Sequence, residues 1–315
     1  MSNKFSTFIC QNCGSETSQY FGRCLNCNEW NTIVEERKNT RSKITSVNKN
    51  KKSKLFNEIE IGNISRFTSG FKEFDRVLGG GIVPGSIVLL GGEPGIGKST
   101  IVLQSAGKIS LNGKVLYITA EESLEQVKIR WERLNQSSLD LKIYAETNLS
   151  LIIEEIKKIK PGFAIIDSIQ AINNDEMESS PGSVSQVRTC SSELQNLAKE
   201  NNIALLIIGH VTKDGALAGP KTLEHLVDVV LNFEGDNIAS HRLLRSVKNR
   251  FGSTFEIGIF EMLENGLKEV INPSSIFTNK ENISGVTTTI TNEGSRPFAV
   301  DIQALVNKTF YNNPR

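Results

Sequence analysis

The chain carries almost no excess charge. Its 36 Lys and Arg are balanced by 35 Asp and Glu, leaving a formal net charge of +1 with three neutral His. That balance excludes a whole-molecule attraction to nucleic acid, so any such pull has to be local. Long apolar runs are missing too. No stretch approaches the ~20 apolar residues that span a bilayer, so no membrane partner is expected. The opening Met1-Ser2-Asn3-Lys4-Phe5-Ser6 lacks the apolar core of a secretory signal, and the expected location is cytoplasmic. What remains is a soluble globular composition, 38% hydrophobic and 23% charged over 315 residues, enough for one to three domains.

Cysteine is scarce but clustered. Of five, four form two pairs near the start, Cys10-x-x-Cys13 and Cys24-x-x-Cys27. Each pair brings two thiolates to one side of a tight turn, and two turns complete a tetrahedron around Zn2+. Two disulfides are the alternative, disfavoured in a reduced compartment. Four thiolates leave no open position, so the metal is expected to be structural. Residues 1–36 thus read as a zinc ribbon too short to hold a core without metal. Gly14 and Gly22 suit its turns, and Trp30 is expected to pack on it. Tyr20 and Phe21 have faces that stack on bases, but packing is their expected role.

Residues 37–62 read as a linker. From Arg37 to Lys54 there are eight basic residues and no acidic one. Such a stretch can touch a phosphate backbone or serve as a solvated tether.

The chemistry centres on Gly92-Glu93-Pro94-Gly95-Ile96-Gly97-Lys98-Ser99, followed by Thr100, which fits the phosphate-loop pattern G-x-x-x-x-G-K-[ST]. Ser86-Ile87-Val88-Leu89-Leu90 before it reads as a buried strand, and a helix opens after it. Glycine lets backbone N–H groups approach phosphates, and the helix N-terminus adds positive potential. Lys98 is expected on the β- and γ-phosphates of ATP and Ser99 on Mg2+. A chance glycine-rich turn would not be framed by strand and helix.

Further apolar runs continue the alternation through residues 63–272. Val115–Thr119, Leu141–Ala145, Phe163–Asp167, Ile203–Ile208 and Val227–Phe233 read as strands. Phe71–Leu78, the segment after Ser123, Leu149–Ile159 and Ser183–Glu200 read as helices, with Ser123-Leu124-Glu125-Gln126 a capping box. Cys190 sits on the apolar face of its helix and is expected to be a core residue. The pattern implies an α/β fold with a mostly parallel sheet. Such sheets bind ligands at the carboxyl ends of their strands. Asp167 there is placed to hold Mg2+ through water, Glu121 to polarise the attacking water, and His210 to sense the γ-phosphate. For Glu121 and His210 the alternatives are a surface acid and a strand cap.

The motifs also fall in a specific order. After the zinc ribbon come Gly79-Gly80-Gly81-Ile82-Val83-Pro84-Gly85, the phosphate loop, Ala120-Glu121-Glu122-Ser123 and Asp167-Ser168-Ile169-Gln170. Then follow Gly209-His210-Val211-Thr212-Lys213-Asp214-Gly215, Leu217-Ala218-Gly219-Pro220 and Lys248-Asn249-Arg250-Phe251-Gly252. In this order the chain resembles the RadA (Sms) family of bacterial DNA-repair proteins, which are RecA-like P-loop ATPases. The resemblance implies a homo-hexameric, ATP-driven motor on single-stranded and branched DNA, working with a RecA-type recombinase. It also implies two DNA-facing loops, about 172–186 and 212–222, the second carrying Lys213 and Lys221. Residues 273–315 resemble the start of a Lon-protease-like domain without protease activity, with strands at Gly285–Ile290 and Phe298–Val306. The chain stops at Arg315, so that domain is expected to be truncated.

The pentad beginning at Lys248 follows a strand-like stretch, His241–Val247. A solvated turn, bent by Gly252 with Phe251 packed beneath, is one reading. In a ring of RecA-like subunits, the resemblance implies instead that Lys248 acts on the neighbour's nucleotide and Arg250 supports it or contacts DNA. The expected function is a DNA-dependent ATPase of recombinational repair. A P-loop kinase or clock-like ATPase acting on protein would share the phosphate loop but not need the pentad or ribbon. A non-catalytic zinc-ribbon nucleic-acid-binding module would not need Lys98, Ser99, Asp167 and Glu121 together.

Overall fold

In the computed structural model the described residues are 6–10, 13–37, 55, 57, 65–209, 222–235, 240–278 and 283–306. His210, nearly all of the basic linker and most of the expected second DNA loop lie outside them.

The N-terminal unit is a three-stranded antiparallel sheet, β1 (Ser6–Cys10), β2 (Glu16–Thr17) and β3 (Ile33–Arg37), with β1 in the middle. Its core is minimal: Cys10, Cys24 and Ile33, flanked by Phe8, Cys13 and Cys27. Each cysteine pair sits on a tight turn, closed by Gly14 N–H to Cys10 O at 2.8 Å and Asn28 N–H to Cys24 O at 2.9 Å. Gly14 takes the left-handed conformation as expected, but at the second turn Asn28 does so (φ 62°) rather than Gly22. Asn tolerates that region because its short side chain bonds locally. Trp30 departs further from expectation. It is 67% exposed, with Tyr20 at 58%, because so small a core leaves no room for either ring.

The central sheet has nine strands in the order β12-β11-β10-β9-β4-β8-β7-β5-β6. The parallel part comprises β4 (Ile87–Gly92), β5 (Val115–Thr119), β6 (Leu141–Ala145), β7 (Phe163–Asp167), β8 (Ala204–Ile208) and β9 (Val229–Glu234). An antiparallel extension, β10 (His241–Asn249), β11 (Ile257–Leu263) and β12 (Gly266–Glu269), continues past β9. Alternate residues of the parallel strands feed two cores, as the period of two requires. Val88, Leu90, Tyr117, Ile165 and Leu206 pack with α1 (Lys72–Leu78) and α2 (Lys98–Ser110). Leu89, Ile118, Ile166 and Ile207 pack with α4 (Leu149–Ile159) and α5 (Val184–Asn201) on the other face. Between them in the chain, α3 (Leu124–Arg133) starts at Ser123 with the expected reciprocal capping box to Gln126. A short helix, α6 (Thr222–Leu226), precedes β9. Cys190 is fully buried on α5, and burial pushes its thiol up to about 12.

Beyond a further short helix, α7 (Ser274–Phe277), β13 (Val286–Glu293) and β14 (Arg296–Gln303) form an antiparallel hairpin, close to the two strands expected there. It is tied to α1 and to the segment after β12 through Arg296. Its guanidinium donates to both carboxylate oxygens of buried Glu73, at 2.8 and 2.9 Å, and to Ile271 O at 2.7 Å.

Candidate functional site

Strand β4, buried along its whole length, delivers the loop 92–97 to the N-terminus of α2. The backbone explains two of its glycines. Gly92 has φ 153° and a Cβ there would stand 2.5 Å from Phe233 O; Gly97 has φ 112° and a Cβ would stand 2.5 Å from Met262 Cε. Both positions exclude a side chain. Gly97 is also the N-cap of α2, and no side chain caps that helix end. Its first-turn N–H groups therefore face the loop mouth, an arrangement suited to an anion.

Lys98 is buried, and its ammonium donates to Gly92 O and Glu93 O, both at 2.8 Å. Burial pulls its pKa below the ordinary lysine value, against the opposing fields of Asp167, Glu121 and Glu93. Two carbonyls are weak counterparts for a buried cation, so the position fits a phosphate partner.

Asp167 ends β7, two strands from β4, and is itself buried. Burial raises its pKa, while hydrogen bonds from Tyr117 and Ser99 and the field of Arg130 lower it. The Tyr117 hydroxyl donates to Oδ2 at 2.5 Å. The hydroxyl of Ser99 and the carboxylate of Asp167 together form an all-oxygen donor set of the kind Mg2+ takes. Glu121, just past β5, accepts from Ser168 Oγ, whereas its neighbour Glu122 is paired with Arg130. The fold thus gathers Lys98, Ser99, Glu121 and Asp167 at the carboxyl ends of β4, β5 and β7. Glu93, Pro94 and Gly95 are exposed at the loop tip, and Thr100 is half-buried on the first turn of α2.

Two contributors escape a reading of the sequence. Tyr117 looks like an ordinary core residue of an apolar strand, yet it holds the site acid. Arg242, on β10, is buried and its Nε donates to Ile96 O of the phosphate loop at 3.2 Å. A charged residue inside a strand's inward row is the signal available for it.

The pentad lies elsewhere. Asn249 pairs with Val229 and Val229 with Val88, at the starting edge of the parallel strands, opposite the phosphate loop. Lys248 Nζ donates to Glu224 O at 2.6 Å and Val227 O at 2.8 Å, and burial with the nearby Arg250 charge depresses its pKa. Arg250 pairs with Asp228 at 3.3 Å. Phe251 packs beneath, as the turn reading expects. Gly252 serves close approach rather than bending, since a Cβ there would lie 2.9 Å from Gly79 Cα.

In the ribbon, the Sγ atoms of Cys10, Cys13, Cys24 and Cys27 all lie within 4.8 Å of one another. Cys10 to Cys27 is 3.6 Å and Cys13 to Cys24 is 3.5 Å. Tetrahedral Zn–S bonds of ~2.3 Å place sulfurs about 3.8 Å apart, so the donor set fits Zn2+ closely. Backbone N–H groups of Cys27 and Asn26 point at Cys24 and lower its pKa to about 6.

Comparison with known proteins agrees with both halves of this geometry. Residues 8–35 match a rubredoxin metal binding domain model and residues 63–216 an AAA domain model. A DNA repair protein RadA of Streptococcus pyogenes is 50% identical over 100% of this chain and 71% of its own length. The chain belongs to the RadA family. A RadA from Synechocystis is 47% identical over 100% of this chain and 69% of its own. Among solved structures, a DnaB-like replicative helicase superposes with a TM-score of 0.58 at 16% identity, over 66% of this chain and 63% of that one. A KaiC-like protein from Pyrococcus horikoshii superposes with a TM-score of 0.53 at 20% identity, over 66% of this chain and 99% of that one. At such identities the likeness speaks for the fold alone, which is RecA-like with an N-terminal zinc ribbon. Family and fold together make this a nucleotide-binding ATPase chain. Among the described residues, no helix is long and apolar enough to cross a membrane.

Proposed function

We propose that this chain is a DNA-dependent ATPase of recombinational repair that extends branches on single-stranded DNA as a homo-hexameric ring. The observation that carries the enzymatic part is the convergence of Lys98, Ser99, Glu121 and Asp167 on one loop mouth. Lys98 and the α2 N-terminus neutralise the β- and γ-phosphates of ATP. Glu121, steadied by Ser168, polarises the water that attacks the γ-phosphorus, and ADP departs. Ser99 and Asp167, the latter through water, are the residues that would hold Mg2+, which would supply neutralisation of the negative charge on the transferring phosphates.

The ring is supported by the pentad. Lys248 sits at the opposite edge of the sheet from its own phosphate loop. A role on the γ-phosphate is therefore open to it only across a subunit boundary, as an arginine finger acts in trans. Arg250 remains half-exposed beside it.

DNA and RecA-type partners come from the family name and from the fold shared with a replicative helicase. The loop 172–186 adds a constraint. It carries Asp175, Glu176 and Glu178 and no basic residue, and it folds back on Gln186, which bonds Asn174 and Ser179. Its charge repels phosphates, so cationic contacts have to come from other segments.

The test is ATP hydrolysis with and without single-stranded DNA. Stimulation is the expected result. Hydrolysis indifferent to DNA would favour an ATPase acting on protein. No hydrolysis would leave a zinc-ribbon binding module.

A further inference from the structure

A cation is buried beside the phosphate loop where the fold would accept an apolar side chain. On β10 the side chains of Arg242, Leu244 and Ser246 share the inward row, and Arg242 is 8% exposed. It stands across from Phe260 of β11, whose ring meets that of Phe233 with centres 6.1 Å apart. Gly235 leaves room for its stem, since a Cβ there would lie 2.5 Å from Arg242 Cδ. Taking a guanidinium out of water is costly unless its donors are used.

One of those donors goes to the loop. Nε donates to Ile96 O at 3.2 Å, while Nη1 donates to His241 O at 2.9 Å. The 96–97 peptide is trans, so its C=O and N–H point in opposite directions. In the order β10-β9-β4-β8-β7-β5, Arg242 reaches the loop from the β10 side, whereas Asp167 and Glu121 lie beyond β4 on the other. Drawing Ile96 O toward β10 therefore turns Gly97 N–H toward the mouth that Lys98, Asp167 and Glu121 line. The loop's own chain does little to fix that orientation. Gly95 (φ 78°) and Gly97 (φ 112°) flank Ile96, and glycine admits the flipped peptide readily. A flip would present a carbonyl oxygen to an anion where an N–H is needed. A hydrogen bond from a charged donor is about twice as strong as a neutral one, and Arg242 supplies it.

We infer that Arg242 is a positioning residue of the nucleotide site, holding the 96–97 peptide with its N–H toward the phosphates. The inference rests on the phosphate-loop reading and adds to it a support from β10, 146 positions away in sequence.

Arg242→Met keeps a long side chain beside Phe260 and removes both the charge and the donor. Replacing a buried charge by an apolar side chain leaves stability unchanged or higher, whereas losing a positioning contact lowers affinity, so the two readouts part company. Titration with a fluorescent ADP analogue should show the dissociation constant raised about tenfold or more. The melting midpoint of the nucleotide-free protein should stay at or above the parent's. Arg242→Lys, which keeps a charge and a donor, should recover part of the lost affinity. Parent-level affinity in Arg242→Met would overturn the inference. So would a nucleotide-free midpoint that falls in step with affinity, with no recovery in Arg242→Lys, since that is the mark of packing alone. If Arg242→Met fails to fold, Gly235→Ala displaces the Arg242 stem with the arginine retained and should raise the same constant. Parent-level affinity there would overturn the inference as well. A parent that binds no ADP would instead strike the phosphate-loop reading itself.

Discussion

Two side chains set the tolerance of the site to substitution. Lys98 is the cation held inside the phosphate loop, and its ammonium bridges the carbonyls where the loop opens. Lys98→Ala should abolish ATP hydrolysis and leave the fold intact; activity within threefold of the parent would show that chemistry happens elsewhere. Tyr117 acts one step back. It donates to Oδ2 of Asp167 at 2.5 Å, and Ser99 also bonds this carboxylate. Tyr117→Phe keeps the ring in its buried slot but frees the acid to rotate. The expected outcome is a higher Mg2+ concentration for half-maximal binding of a fluorescent ADP analogue, with metal-free nucleotide binding unchanged. An unshifted Mg2+ titration would reduce Tyr117 to packing. Nothing in the run Val115–Thr119 distinguishes this hydroxyl from a filler, because its partner lies fifty positions on and meets it only through strand pairing.

At the scale of elements, the ribbon and the C-terminal hairpin attach to the motor by different means. The ribbon's cluster of Cys10, Cys24 and Ile33 is too small to hold it without metal. Cys13→Ser with Cys27→Ser should remove one zinc per chain and loosen residues 6–37, while the ATPase core keeps its thermal transition. Metal analysis finding no zinc in fresh, reduced parent protein would refute this. The hairpin has one buried carboxylate among its anchors, beside the Ser295 N–H donated to Glu256 at 3.0 Å. Glu73 accepts from Arg296 and Arg76, and from Ile259 N–H at 3.1 Å. Arg296→Ala leaves Glu73 with one guanidinium and should lower stability by about 2 kcal/mol, read from the denaturant midpoint. The hairpin strands are visible in their alternation. Their anchor is not, because Arg296 and Glu73 are 223 positions apart.

For the whole molecule the decisive question is whether the pentad works within its own chain. Lys248→Ala should bind ATP normally and hydrolyse none. Mixed with Lys98→Ala, inactive for a separate reason, it should regain part of the parent rate. Hybrid boundaries would then join an intact phosphate loop to an intact Lys248. Rings that exchange subunits without recovering activity would place the pentad's role within one subunit. The pentad's register, against Val229 and the start of β4, makes the first outcome the expected one.

Short-range spacing was enough to single out the phosphate-loop pattern, the four clustered cysteines, the acid ending β7 and the alternation of a parallel sheet. Each depends on residues within one turn or one strand, where backbone geometry alone relates them. The antiparallel strands β11 and β12, the Tyr117 and Arg242 supports, the exposure of Trp30 and the pentad's position far from its own nucleotide site followed only from the folded chain. These are settled by which strands lie side by side and by how much core is available to cover a ring, and both arise from contacts between residues distant in sequence.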